Sequence, residues 1–244
     1  MAPSITLLTS ANGGSDPLAS PSFSPAPNSL VVVAASFGAG SNPGDPVISD
    51  SFAGGVGSWT KYTAHPSDTT NNQWTGAVWV AQAGASPGSH TVSVDSGTSG
   101  GTRVVLQVFQ VIDFNISAPV TQSKKGESSS SSETSFSRSL DSAPASASLV
   151  FAMLSVRGDS DNAFTAGSGY TALATTSNGG TDANNNTMQT QYKIGGDGTF
   201  DWSGITSTAT DKVAVAIEIA AAGSTIHMYP NPTDGLGSFF RGLN

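Results

Sequence analysis

Ser29-Leu30-Val31-Val32-Val33-Ala34-Ala35-Ser36 is an unbroken apolar run with a serine at each end. At six apolar residues it is too short for a membrane span and of the right length for a strand. A run without alternation marks a strand covered on both faces, or a core strand of a sandwich. Ser148-Leu149-Val150-Phe151-Ala152 starts the same way, and it is not the only echo. Gly55-Val56-Gly57-Ser58-Trp59-Thr60 is followed by Gly167-Ser168-Gly169-Tyr170-Thr171. Asn71-Asn72 leads to Ala77-Val78-Trp79-Val80, as Asn185-Asn186 leads to Gln191-Tyr192-Lys193-Ile194. Gly88-Ser89-His90-Thr91-Val92 parallels Gly198-Thr199-Phe200-Asp201-Trp202, and Arg103 to Val108 parallels Lys212 to Ile217. The spacing drifts from about 119 to about 109 residues along the series, as variable turns within a repeat would produce.

Outward from these runs the chain reads as strands throughout. Ile5-Thr6-Leu7-Leu8-Thr9 is rich in β-formers and stops at Asn12-Gly13-Gly14, a turn signal. Trp59 to Thr63 mixes rings with polar residues and suits a half-buried strand. His90 to Val94 and Arg103 to Ile112 add two more strands, and Val213 to Ala222 alternates with period two up to Ile219. Many short strands with turns between them specify an all-β chain in an antiparallel jelly-roll-like β-sandwich, built from two sequence-related halves. Two tandem immunoglobulin-like sandwiches are the alternative. The sandwich is placed at residues 1–222, with halves at about 4–113 and 119–222, and a C-terminal extension at 223–244. Asp113 to Ala147, despite its serine run 128–132, reads as edge strands more than as a linker. Small polar side chains there make a poorly adhesive edge.

Composition narrows the function. The 244 residues include no Cys and are only 11% charged, against about 25% in an average soluble domain. Nine Lys and Arg against seventeen Asp and Glu exclude a nucleic-acid binder, whose affinity comes from clustered cations. Without Cys there is no disulfide, thiolate site or Cys nucleophile. The start, Met1-Ala2-Pro3-Ser4-Ile5, lacks the basic and apolar regions of a signal peptide. No apolar run reaches the roughly 18 residues of a bilayer span.

The motifs are weak. Gly84-Ala85-Ser86-Pro87-Gly88 matches the nucleophile-elbow spacing but has a strand after it and Pro87 within it, so it reads as a turn. Asp159-Ser160-Asp161 begins like a calcium loop, but Phe164 and Tyr170 stand where Gly and Glu are needed. His65, His90 and His227 share no ligand spacing. Glu218, alone in an apolar strand, is expected to face outward. Neither a catalytic set, a metal ligand nor a cofactor site is assigned.

The aromatics divide in two. Trp59 and Trp79 stand at positions echoed by Tyr170 and Tyr192, which points to core packing. Trp74 has no ring at its counterpart and is the candidate glycan contact at the surface. Tyr229, Phe239, Phe240 and Arg241 in the extension form a candidate docking peg, because aromatics and Arg dominate interface energies.

Taken together, the strand Ile5 to Thr9, the run Ser29 to Ser36, the Gly57-Ser58-Trp59 turn, Trp74 to Ala83 and Val108-Phe109-Gln110-Val111-Ile112-Asp113 resemble a β-sandwich type found among structural proteins of tailed bacteriophages. The likeness covers about residues 4–222. It implies a virion component, a head decoration or fibre subunit or a minor tail protein, assembled in the host cytoplasm. Its partners would be other virion proteins of the capsid, neck or tail and further copies of itself, with neither nucleic acid nor membrane. A carbohydrate-binding module for a host surface glycan is the alternative, and an enzyme is not expected.

Overall fold

In the computed structural model, residues 1–38, 44–51, 57–64, 74–97, 103–130, 132–158, 164–179, 185–206 and 211–223 are described. Sixteen strands and no helix occur among them. In the first half these are β1 (Ser4–Gly13), β2 (Leu18–Ala19), β3 (Leu30–Gly38), β4 (Val47–Asp50), β5 (Thr60–Ala64), β6 (Trp74–Gln82), β7 (Val92–Asp95) and β8 (Arg103–Ile112). The second half contributes β9 (Val120–Ser128), β10 (Ser135–Ser139), β11 (Leu149–Gly158), β12 (Thr165–Ala166), β13 (Thr171–Ser177), β14 (Asn185–Ile194), β15 (Thr199–Ser203) and β16 (Lys212–Ile219). All pairings are antiparallel.

The strand order β1-β8-β3-β6-β5 recurs as β9-β16-β11-β14-β13, and β2-β7-β4 recurs as β10-β15-β12. Each half is therefore a small jelly-roll sandwich of a five-stranded and a three-stranded sheet, with its fifth strand held on the larger sheet. The all-β antiparallel sandwich class read from the sequence is present, with four layers in place of the two that a single sandwich from both halves would have. The two five-stranded sheets face one another in the middle, with a three-stranded sheet outside each.

Three cores hold the layers. Leu30, Val32, Val105 and Phe109 meet Leu149, Phe151, Val213 and Ile217 in the central one. Val31, Val33, Phe37, Trp79 and Leu106 pack with Val92 and Val94 in the first outer core. Val150, Leu154 and Ala214 pack with Phe136, Phe200 and Trp202 in the second. Odd and even positions of β3, β11 and β16 thus both meet apolar neighbours, and of all the residues in these strands only Arg157 is not fully buried. That is the physical reason β3 and the first part of β11 are apolar at successive positions, and β16 at all but Lys212 and Glu218.

The two central sheets stack with their strand orders reversed. β1 lies against β13, β8 against β14, β6 against β16 and β5 against β9, with β3 and β11 meeting between them. Each contact has its mirror under exchange of the halves, so an approximate two-fold axis passes between β3 and β11.

Register fixes which residues correspond. Leu30 sits opposite Gln82 and Val111, as Leu149 sits opposite Ile194 and Ile219. Trp59 then matches Tyr170, and both pack half-buried on their outer cores. Trp79 matches Gln191 and not Tyr192; it lies in an outer core while Tyr192 packs on the central one. Val104, not Arg103, matches Lys212. A one-residue slip exchanges the faces of a strand, so the echoes in the sequence follow the repeated topology only in part.

The stretch after β8 is tied down. Asp113 takes a positive φ of 61°, Phe114 bridges Ala221, and Asn115 N donates to Ala220 O at 2.8 Å. The serine-rich region that follows forms the edge strands β9 and β10.

Candidate functional site

Polar side chains in the middle of an apolar interface need partners, and here they find them across the two halves. Trp74, the surface glycan candidate of the sequence, is 1% exposed. Its indole Nε1 donates to Ser155 Oγ at 2.9 Å. A buried ring cannot stack on a sugar, so that assignment is corrected. The neighbouring strand makes room for it: a Cβ on Gly38 would lie 2.2 Å from Trp74 Cζ3.

By register Asn186 holds the position of Trp74, and Ser36 that of Ser155. Ser36 Oγ donates to Asn186 Oδ1 at 2.8 Å, and Ser155 Oγ donates to the same oxygen at 2.9 Å. Asn186 Nδ2 donates to Ser36 O at 3.1 Å and Arg103 O at 3.0 Å. One network thus spans the pseudo-axis, with an indole in one arm and a carboxamide in the other. Gly76 keeps the sheets close there, since a Cβ would meet Met153 Cε at 2.9 Å and Val213 Cγ2 at 3.0 Å.

The margins of the interface differ. At the β1/β13 seam Asn12 Nδ2 donates to Ser177 O at 2.8 Å. Gln107 Nε2 donates to Thr176 Oγ1 at 2.9 Å and Gln107 Oε1 accepts from Thr190 Oγ1 at 2.7 Å. At the β5/β9 seam the counterpart of Gln107 in the second half is Val215, which cannot bridge. A recess of about 420 Å³ opens there, lined by Tyr62, Thr63, Ser123, Lys124, Lys125 and Val215. Burial pushes the Tyr62 phenol up from its ordinary value, so it stays neutral. Lys124 Nζ is held by Asp141 at 2.6 Å.

Comparison with protein-family models, with curated proteins and with solved structures finds no match. The site is therefore read from its own chemistry.

Other residues singled out from the sequence are dispersed. Tyr229, Phe239, Phe240 and Arg241 lie outside the described residues, as do His65, His227, Asp159 and Asp161. His90 is buried at 1% exposure, its Nδ1 3.3 Å from Asp50 Oδ1 and its ring stacked on Phe23. The 84–88 segment is an irregular connection after β6, with Gly88 at φ 67°. No group of three or more potential metal ligands occurs among the described residues.

Glu218 corrects a second expectation, because it is 4% exposed rather than outward-facing. Burial raises its pKa, but hydrogen bonds from Gln122, Ala145 N, Ser148 and Thr121 outweigh this and leave the carboxyl below its ordinary value. Its counterpart in the first half, Gln110, does the same job there, where Oε1 accepts from Ala26 N at 2.8 Å. In the second half Glu218 Oε1 accepts from Ala145 N at 2.9 Å. Both residues are structural.

Sequence reasoning missed Gln107, Ser36, Ser155 and Asn186, and also Tyr62 and Lys125. Gln107, Ser36 and Ser155 carried one signal, a polar residue inside an apolar strand, whereas Asn186 lies in the polar strand β14 and carried none. Tyr62 and Lys125 carried none, because their seam is formed by strands far apart in the chain.

Proposed function

We propose that the chain is a structural protein of a tailed-bacteriophage virion, a surface decoration or accessory head-tail component that acts by docking to other virion proteins. The observation that carries this reading is the central weld. Two complete sandwiches share an apolar interface with a polar network at its middle, and the interior is committed to rigidity. Such a body offers its partners outer faces and edges. The edges suit controlled docking: β9 carries Lys124 and Lys125, and β10 reads Ser-Phe-Ser-Arg-Ser, so uncontrolled strand addition is discouraged. The extension beyond Gly223, with Tyr229, Phe239, Phe240 and Arg241, supplies residues of the type that anchor interfaces.

Quantitative mass spectrometry of purified particles from a culture producing the chain tests the reading. Hundreds of copies per particle assign it to the head, and a few assign it to the neck or tail. Recovery only in the particle-free lysate overturns it. Deletion of residues 223–244 is expected to abolish incorporation while leaving the melting transition unchanged; unchanged incorporation overturns the peg.

A further inference from the structure

The β5/β9 recess has a composition unlike its surroundings. The chain has a net charge of -8, yet the residues lining this recess include two lysines and neither Asp nor Glu, and Glu127 is the next residue of β9 on the face of Lys125. Lys125 and Ser123 sit at alternate positions of β9, opposite Val215 and Ile217 of β16, so both face the seam. Tyr62 reaches the central core from β5 and forms the other wall. Lys124 is neutralised by Asp141, but Lys125 Nζ makes no ion pair or hydrogen bond among the described residues. Nor do Tyr62 Oη and Ser123 Oγ. Three donors with no protein partner among the described residues, one of them the ammonium of exposed Lys125, thus surround an aliphatic floor at Val215.

Each feature selects a part of a ligand. A lone ammonium beside neutral donors favours a single carboxylate. A half-buried phenol offers a flat face to C–H groups and a hydroxyl at its tip. An apolar floor with a few placed polar groups is the usual make-up of a small-molecule site. We propose that the β5/β9 recess binds the carboxylated end of an acidic saccharide, with Lys125 on the carboxylate, Tyr62 against the ring and Ser123 on a hydroxyl. The other seam cannot do this. Its register counterparts of Lys125 and Tyr62 are Ser10 and Ala174, and Gln107 already bridges it.

The test titrates the full chain with sialyllactose, glucuronic acid, lactose and inorganic phosphate, following amide and tyrosine NMR signals. Saturable shifts at Tyr62, Ser123 and Lys125 are expected with sialyllactose or glucuronic acid at up to about 1 mM, and at least tenfold weaker shifts with lactose. Lys125→Ala should weaken binding at least tenfold, and Lys125→Arg should restore most of it. Val215→Gln, which gives this seam the residue of its counterpart, should abolish binding, and it should also lower the melting transition because Val215 is buried in the central core and the new amide has no partner there. Absence of shifts at these residues, equal shifts with phosphate alone, or undiminished binding by Lys125→Ala overturns the proposal. If Val215→Gln does not fold, the Lys125 pair decides.

Discussion

The two seams occupy equivalent places about the pseudo-axis and have opposite characters. At β1/β13, Gln107 joins Thr190 and Thr176 across the halves. At β5/β9, Val215 leaves a recess walled by Tyr62 and Lys125. Both seams rest on the same topology and the same apolar centre. Their difference comes from a few side chains, which shows how a repeated scaffold can keep one margin for cohesion and free the other.

The first way to break the comparison is to remove what both seams share. Trp74→Ala deletes a fully buried indole and its hydrogen bond to Ser155, and should cost about 3–5 kcal/mol. Chemical denaturation measures the loss. Gly76→Val pushes two methyl groups toward Met153 and Val213 and should cost about 1–3 kcal/mol by overpacking. The loss should shrink when Met153 is changed to Ala in the same chain.

Smaller changes act on one seam at a time. Gln107→Val makes the closed seam resemble the open one and leaves the Thr190 hydroxyl only its long 3.5 Å contact to Ala174 O. A loss of about 1–3 kcal/mol is expected. Lys125→Ala on the exposed edge should change stability by no more than about 0.5 kcal/mol in either direction. A large effect of Lys125→Ala would mean that the open seam is structural too.

Glu218 gives the smallest and most specific effect. Its folded pKa lies below the unfolded value, so its contribution is complete above about pH 4.5 and is lost as pH falls through the lowered folded value. Glu218→Gln removes this acid-side component and keeps an acceptor for Ala145 N, as Gln110 does for Ala26 N. The difference between the two chains should be small at pH 7, and as pH falls below about 4.5 the native chain should lose stability relative to Glu218→Gln, when each is unfolded by urea.

The legible part of the fold was the part governed by local chemistry. Leu30 to Ala35 is apolar at every position, and only burial on both faces accounts for that. The strand character of Ser-rich 120–139 also followed from its place in the pattern. The layer count did not, because an apolar face does not say whether it meets a sheet of its own half or of the other. Trp74 was misplaced for the same reason: beside Asn71-Asn72-Gln73 it looks like a surface residue, yet its strand ends against the opposite half. Glu218 misled because a carboxylate in a strand was weighed by period alone, without the loop 142–148 that folds over it. The seam recess had no sequence signature, since β5 and β9 belong to different sheets and lie far apart in the chain.

The wiring also bears on how the chain is made. In each half the last strand, β8 or β16, is inserted between the first and the third, so neither large sheet can close until its final strand has left the ribosome. At about 5–20 residues per second, the second half emerges on the order of ten seconds after the first. Throughout that interval the first sandwich carries Leu30, Val32 and Phe109 on a naked face whose shape suits a five-stranded sheet. Neighbouring nascent chains on one message carry the same face, and the covalent tether between the halves keeps the correct partner at higher local concentration than any rival.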